Sequence, residues 1–117
     1  IAERRFSVVK EFTEQYQVVC ALKDSRTVVM KEGHHPFLNL AGNSAMAKAG
    51  SGDVLAGMIT GLLGGGLAAH EAAVHGVYLH GLAGDHARRD LGAYSMIASD
   101  IITHIKDVTG GSYESVL

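Results

Sequence analysis

Residues 49–57 read Ala49-Gly50-Ser51-Gly52-Asp53-Val54-Leu55-Ala56-Gly57, a run of small residues leading straight into an apolar pattern. Val54, Leu55, Met58, Ile59 and Leu62 recur at helical spacing, which predicts a helix from Asp53 onward with a carboxylate in its first turn. A helix start leaves backbone N–H groups without intrahelical acceptors and carries the positive end of the dipole. Glycines at 50 and 52 let those groups approach an anion closely. Such a cradle can hold a phosphoryl group and stabilise the charge that develops on its transfer. Asp53, at its edge, is placed to accept the proton of an attacking hydroxyl. The spacing alone also fits a plain connecting loop with Asp53 as the helix cap, and it matches neither of the common glycine-rich phosphate patterns.

Outward from this stretch, the chain divides into a strand-bearing first part and a helical second part. Residues 2–15 form a predicted helix with Phe6, Val9 and Phe12 on one face. Gln17–Leu22 and Thr27–Met30 are β-branched runs around the polar tip Lys23-Asp24-Ser25-Arg26, which predicts an antiparallel hairpin. A turn at Glu32–Pro36 leads to a third short strand at Phe37–Leu40. Residues 41–52 are a loop of small residues. After the Asp53 helix, Gly64-Gly65-Gly66 is a stop. A second helix is predicted over about residues 68–89, closed by Leu91-Gly92. A third is predicted from Ser95 as N-cap to about Val108, stopped by Gly110-Gly111. The middle helix is apolar on more than one face and needs cover on two sides. Strands followed by helices fit α+β, or the second half of an α/β sandwich.

Composition narrows the partners. A formal net charge of −2 without a basic stripe argues against duplex nucleic acid. The longest uncharged stretch, residues 54–69, is shorter than the roughly 18–20 residues that span a bilayer, so no membrane partner is expected. The single cysteine, Cys20, sits in an apolar run and reads as a small buried hydrophobe in a reducing, cytoplasmic compartment. The chain starts without a signal peptide and in mid-element, as expected of a piece of a longer protein.

Two longer blocks carry a resemblance. The run Gly42-Asn43-Ser44-Ala45-Met46-Ala47-Lys48-Ala49-Gly50-Ser51-Gly52-Asp53-Val54-Leu55-Ala56-Gly57 resembles the signature of the ADP-dependent NAD(P)H-hydrate dehydratases, a branch of the ribokinase-like superfamily. So does Glu71-Ala72-Ala73-Val74-His75-Gly76-Val77-Tyr78-Leu79-His80-Gly81-Leu82-Ala83-Gly84-Asp85. The resemblance implies a ribokinase-like three-layer α/β/α sandwich, of which residues 1–117 are the C-terminal portion of a single domain. It implies dehydration of the (S)-epimer of hydrated NADH and NADPH at the expense of ADP, with AMP and phosphate released and Mg2+ accompanying the nucleotide. By that likeness Asp53 is the base and touches the hydrated nicotinamide, while Gly50, Ser51 and Gly52 form the anion hole. Gly52 also joins the nucleotide set, with Asn43 and the Lys-x-x-x-Thr element Lys23, Asp24, Ser25, Arg26 and Thr27.

The chain departs from the commonest family pattern at Ala49, at Ser51 and at Asp24-Ser25. Members of the family are more than twice as long, so this portion alone is not expected to be a competent dehydratase. The Gly-Ser-Gly-Asp element would equally serve a kinase for a hydroxymethyl vitamin precursor, or a non-catalytic nucleotide-binding piece.

The seven histidines raise a metal hypothesis, but His70, His75 and His80 are five residues apart. At about 100° per residue their rings diverge, and no metal site is expected. His34-His35 reads as a solvated turn. Gly57-x-x-x-Gly61 predicts close packing of its helix on the sheet. Gly76, Gly81, Ala83 and Gly84 predict close packing too, with a homo-oligomer as one outcome.

Overall fold

A computed structural model describes residues 2–23 and 26–116, with side chains described for 4–23 and 26–109. The elements are α1 (Ala2–Tyr16), β1 (Cys20–Leu22), β2 (Val28–Met30), β3 (Phe37–Leu38), a 3₁₀ turn (Ser44–Met46), α2 (Ser51–Gly64), α3 (Ala69–Leu91) and α4 (Ala98–Val116).

The expected hairpin forms. β1 pairs antiparallel with β2 (Cys20↔Met30, Leu22↔Val28), and β2 pairs antiparallel with β3 (Val29↔Phe37). The strands are shorter than the runs that code for them. Gln17 does not begin β1: its φ is 54°, a left-handed conformation that ends α1. Its amide donates to Glu14 O (2.9 Å) and to Glu32.

Consecutive strand residues point to opposite faces, and Val29 and Met30 are both buried. Val29 joins Leu55, Ala73 and Val77 in a core shared with α2 and α3. Met30 faces α1, where it meets Lys10 and Thr13 around a crevice of about 190 Å³. The sheet thus lies between helices, which is the layered arrangement expected.

Phe6, Val9 and Thr13 form the inward face of α1, while Phe12 is exposed and packs on Tyr16 with ring centroids 4.7 Å apart. The expected 6, 9, 12 face is corrected here. Thr13 fits because its hydroxyl donates to Lys10 O (2.8 Å) and needs no water.

A second core joins α3 to α4 through Ala45, Ala83, Ala87, Met96 and Ile101. Three glycines of α3 admit neighbours at close range. A Cβ would lie 2.6 Å from Ile59 at Gly76, 2.8 Å from the Ala41 backbone at Gly81, and 2.2 Å from Met46 at Gly84. Their small faces, and buried Ala83, are therefore used within the chain. Gly57 and Gly61 have nothing within 4 Å, so the expected close packing at those two positions is absent.

α4 starts at Ala98, not after Ser95. Asp100 Oδ2 accepts from the Ile97 N–H (2.8 Å), so an acid three positions on satisfies the helix start. The helix also continues through Gly110-Gly111, since glycine weakens a helix by about 1 kcal/mol without breaking it. Cys20 is half-buried, not enclosed. His34 is exposed but its ring lies 4.3 Å from that of His70. No described helix is long and apolar enough to cross a membrane.

Candidate functional site

The turn after β1, the 39–48 loop and the start of α2 meet over the middle of α3 and enclose a cleft of about 570 Å³. Lys23, Arg26, Thr27, Asn43, Ser51 and Gly52 line it, so most of the expected site residues do come together. Gly50 and Asp53 flank Ser51 and Gly52 but do not line the cleft. Asp24 and Ser25 lie outside the described residues.

α2 begins two residues earlier than the apolar pattern indicated. Gly50 is its N-cap at φ 90°, ψ −12°, a conformation that favours glycine, and no side chain caps the helix. Asp53 is therefore not the cap: it is exposed in the first turn. The Ser51 N–H bonds back to Lys48 O (3.2 Å), which leaves the N–H groups of Gly52 and Asp53 without an intrahelical acceptor. A Cβ on Gly52 would lie 2.6 Å from Lys23 Nζ, so the ammonium lies directly on the helix start.

Residues that the sequence reading left without a role complete the site. Lys48 lines the cleft with Lys23 and Arg26, and among the described residues every charged group in the lining is a cation. Its signal was visible: it is the one charged residue in the 41–52 loop before Asp53. Asp85 on α3 accepts from the Gly42 N–H (3.0 Å) and from Asn43 Nδ2 (2.7 Å), which spends the Asn43 amide on holding the loop. Asn43 Oδ1 in turn accepts from the Ala45 N–H (3.0 Å) and starts the 3₁₀ turn. Asn39 is buried and donates to Val77 O (3.1 Å). Arg26 Nη1 donates to Leu40 O (2.6 Å).

His80 is 9% exposed and forms the floor. Its Nε2 lies 3.1 Å from Ser51 O and 3.4 Å from Ser51 Oγ. A carbonyl only accepts, so Nε2 carries a proton. Burial first, and then the Lys23 ammonium, push the imidazole below its ordinary value, while the Ser51 carbonyl opposes them. The ring is thus neutral, with Nδ1 as a bare lone pair.

Among the described residues one group of metal-ligating side chains converges, Asp90, His104 and Asp107, far from the cleft lining. Its histidine has no lone pair to offer. Nδ1 donates to Asp100 O (2.7 Å) and Nε2 to Asp90 Oδ2 (2.9 Å). The group is an ion pair between α3 and α4.

Layered helices around a small sheet, with a basic cleft at a glycine-rich helix start, define a portion of an α/β protein. The chain belongs to the NAD(P)H-hydrate dehydratase family, whose model matches residues 1–107. It is 41% identical over 99% of its length to the bifunctional NAD(P)H-hydrate repair enzyme Nnr of Moorella thermoacetica, of which it covers 22%. It is 35% identical over 90% of its length to the ADP-dependent (S)-NAD(P)H-hydrate dehydratase of Bacillus subtilis, of which it covers 39%. The crystal structure of the ADP/ATP-dependent NAD(P)H-hydrate dehydratase from Bacillus subtilis, co-crystallised with ATP and Mg2+, matches with a TM-score of 0.82 at 33% identity, over 92% of this chain and 39% of that one. The fold is therefore part of a ribokinase-like α/β domain, and the chain spans about a fifth to two-fifths of the relatives it matches.

Proposed function

We propose that the whole protein dehydrates the (S)-form of hydrated NADH and NADPH using ADP, releasing AMP and phosphate, and that residues 1–117 supply its nucleotide site and base as the C-terminal portion of one domain. The observation that carries this is the cleft itself, with three cations, no carboxylate among the described lining residues, and Lys23 Nζ against the helix start. That arrangement suits a polyphosphate and repels a cationic ligand.

In this reading Lys23, Arg26 and Lys48 hold the phosphates, with Thr27, Ser51 and Asn43 beside them. The N–H groups of Gly52 and Asp53 face the charge that grows on the transferring phosphoryl group. Gly50 leads into them in a left-handed conformation. Asp53, exposed one residue beyond the lining, takes the proton of the substrate hydroxyl as it attacks the terminal phosphate of ADP. AMP leaves. The ester's C–O bond then breaks, the adjacent carbon loses a proton, and phosphate departs. The described lining offers Mg2+ no carboxylate, so the ion would ride on the phosphate oxygens and neutralise part of their charge. Asp24 and Ser25 enter only through the Lys-x-x-x-Thr likeness. A cytoplasmic setting and a homo-oligomer belong to the same reading. The exposed Val8, Phe12 and Tyr16 on α1 support contact with further protein.

The test is a spectrophotometric assay of the full-length protein with hydrated NADH. Reduced nucleotide appearing only with ADP is the expected result. No such turnover, with phosphorylation of a hydroxymethyl substrate instead, would sink the proposal in favour of a kinase.

A further inference from the structure

α3 contributes Val77, His80 and Gly81 to the cleft, and of these His80 is the one whose side chain bonds to the helix start. His80 donates from Nε2 to the Ser51 carbonyl at 3.1 Å and has Ser51 Oγ at 3.4 Å. Ser51 is the first residue of α2, and Gly52 and Asp53 follow it directly. No side chain caps this helix start, and its N-cap is a glycine that resists rotation only weakly. Besides the Ser51 N–H bond to Lys48 O, His80 is the buried side chain placed to fix the orientation of the first turn. Packing agrees: Gly81, the next residue, lets the Ala41 backbone approach so closely that a Cβ would lie 2.8 Å from it. The imidazole cannot slide along its helix without displacing that loop.

We propose that His80 is a positioning residue for the anion site: as a hydrogen-bond donor to Ser51, it holds the first turn of α2 so that the Gly52 N–H points into the cleft. The role rests on the nucleotide reading given above. A neutral donor suits this place. A second proton would add a fourth positive charge to the cleft without improving the bond to Ser51.

The experiment is titration calorimetry of the full-length protein with ADP, together with the KM for ADP and kcat, for His80→Ala and His80→Gln. A glutamine amide can replace the Nε2–H donor and does not titrate. Losing a buried hydrogen bond is worth roughly tenfold in affinity, so His80→Ala should bind ADP about ten times more weakly and raise KM more than it lowers kcat. His80→Gln should return to within about threefold of the unaltered protein, since the donor is restored. Equal affinity for His80→Ala and the unaltered protein would overturn the role of His80 alone. So would a His80→Gln protein that folds, by its thermal midpoint, but binds no better than His80→Ala. Where His80→Ala fails to fold, His80→Gln decides: near-normal affinity supports the role and a tenfold loss overturns it. Absence of ADP binding by the unaltered protein overturns the proposed function itself, and the role of His80 with it.

Discussion

Two histidines of this chain have nearly the same exposure, and their surroundings push their protonation in opposite directions. His80, at 9% exposure, lies in the cleft between the Ser51 carbonyl and the Lys23 ammonium, and is held neutral. His104, at 8% exposure, lies at the seam of α3 and α4 between the Asp100 carbonyl and the Asp90 carboxylate. The Asp100 carbonyl first, and then Asp90, raise it above its ordinary value and favour its charged form. Desolvation dominates at His80, whereas the Asp100 carbonyl and the Asp90 carboxylate outweigh it at His104. One region is arranged to receive a negative ligand; the other is closed on itself by an internal pair.

That contrast can be broken at its strongest point by Asp53→Asn in the full-length enzyme. Turnover should fall by about 10²-fold or more with ADP affinity largely kept, since general-base help is worth that much. Near-normal turnover would remove Asp53 from the base role. Lys23→Ala should show the reverse split. ADP should bind roughly tenfold or more weakly, as expected for a charged hydrogen bond to phosphate, and His104→Ala should leave that affinity unchanged.

Packing sharpens the comparison next. Gly81→Ala places a methyl 2.8 Å from the Ala41 backbone, and should cost about 1–3 kcal/mol by chemical denaturation. Gly57→Ala enters open space in the middle of α2, and should gain roughly 0.5–1 kcal/mol. Equal effects would mean that α3 is not the packed floor of the cleft.

The smallest effect lies at the seam. Asp90 is 58% exposed, so Asp90→Asn should cost only about 0.5 kcal/mol, and only while His104 is charged. The folded-state value of His104 is raised, so its contribution is complete below the ordinary value of 6.5 and fades as pH rises through the raised one. His80 has the opposite sign. Its folded-state value is lowered, so below 6.5 the unfolded chain takes up the proton first and stability is lost toward acid. Thermal midpoints of Asp90→Asn and the unaltered protein should therefore converge at alkaline pH. A constant gap would break the assignment.

Much of the molecule was legible in the sequence because the signals were local. The hairpin and the closing Gly92 are each set by a few neighbouring residues. The register of the helix start was not. Ser51 and Gly52 have weak helix propensity, and only the tertiary bond from His80 and the Lys48 carbonyl draws them into α2. The contributions of His80 and Asp85 were hidden for a similar reason. Each acts on a partner far along the chain or across the cleft, and a histidine in an apolar helix carries no periodic sign of what it faces. Phe12 misled because a helix face three residues wide can be drawn through either Phe12 or Thr13, and the sheet selects Thr13.

The cleft has one further consequence. Lys23, Arg26 and Lys48 share about 570 Å³ with no opposing carboxylate among the described residues. Three like charges in so small a space push their own walls apart. All three are solvent-exposed, so this repulsion is mild, and a polyphosphate bound in the proposed site would relieve it. Nucleotide at about a hundred times its dissociation constant would add about 2.7 kcal/mol to the folded state. Under the proposed function, the ligand would be a structural member of the cleft as well as its substrate.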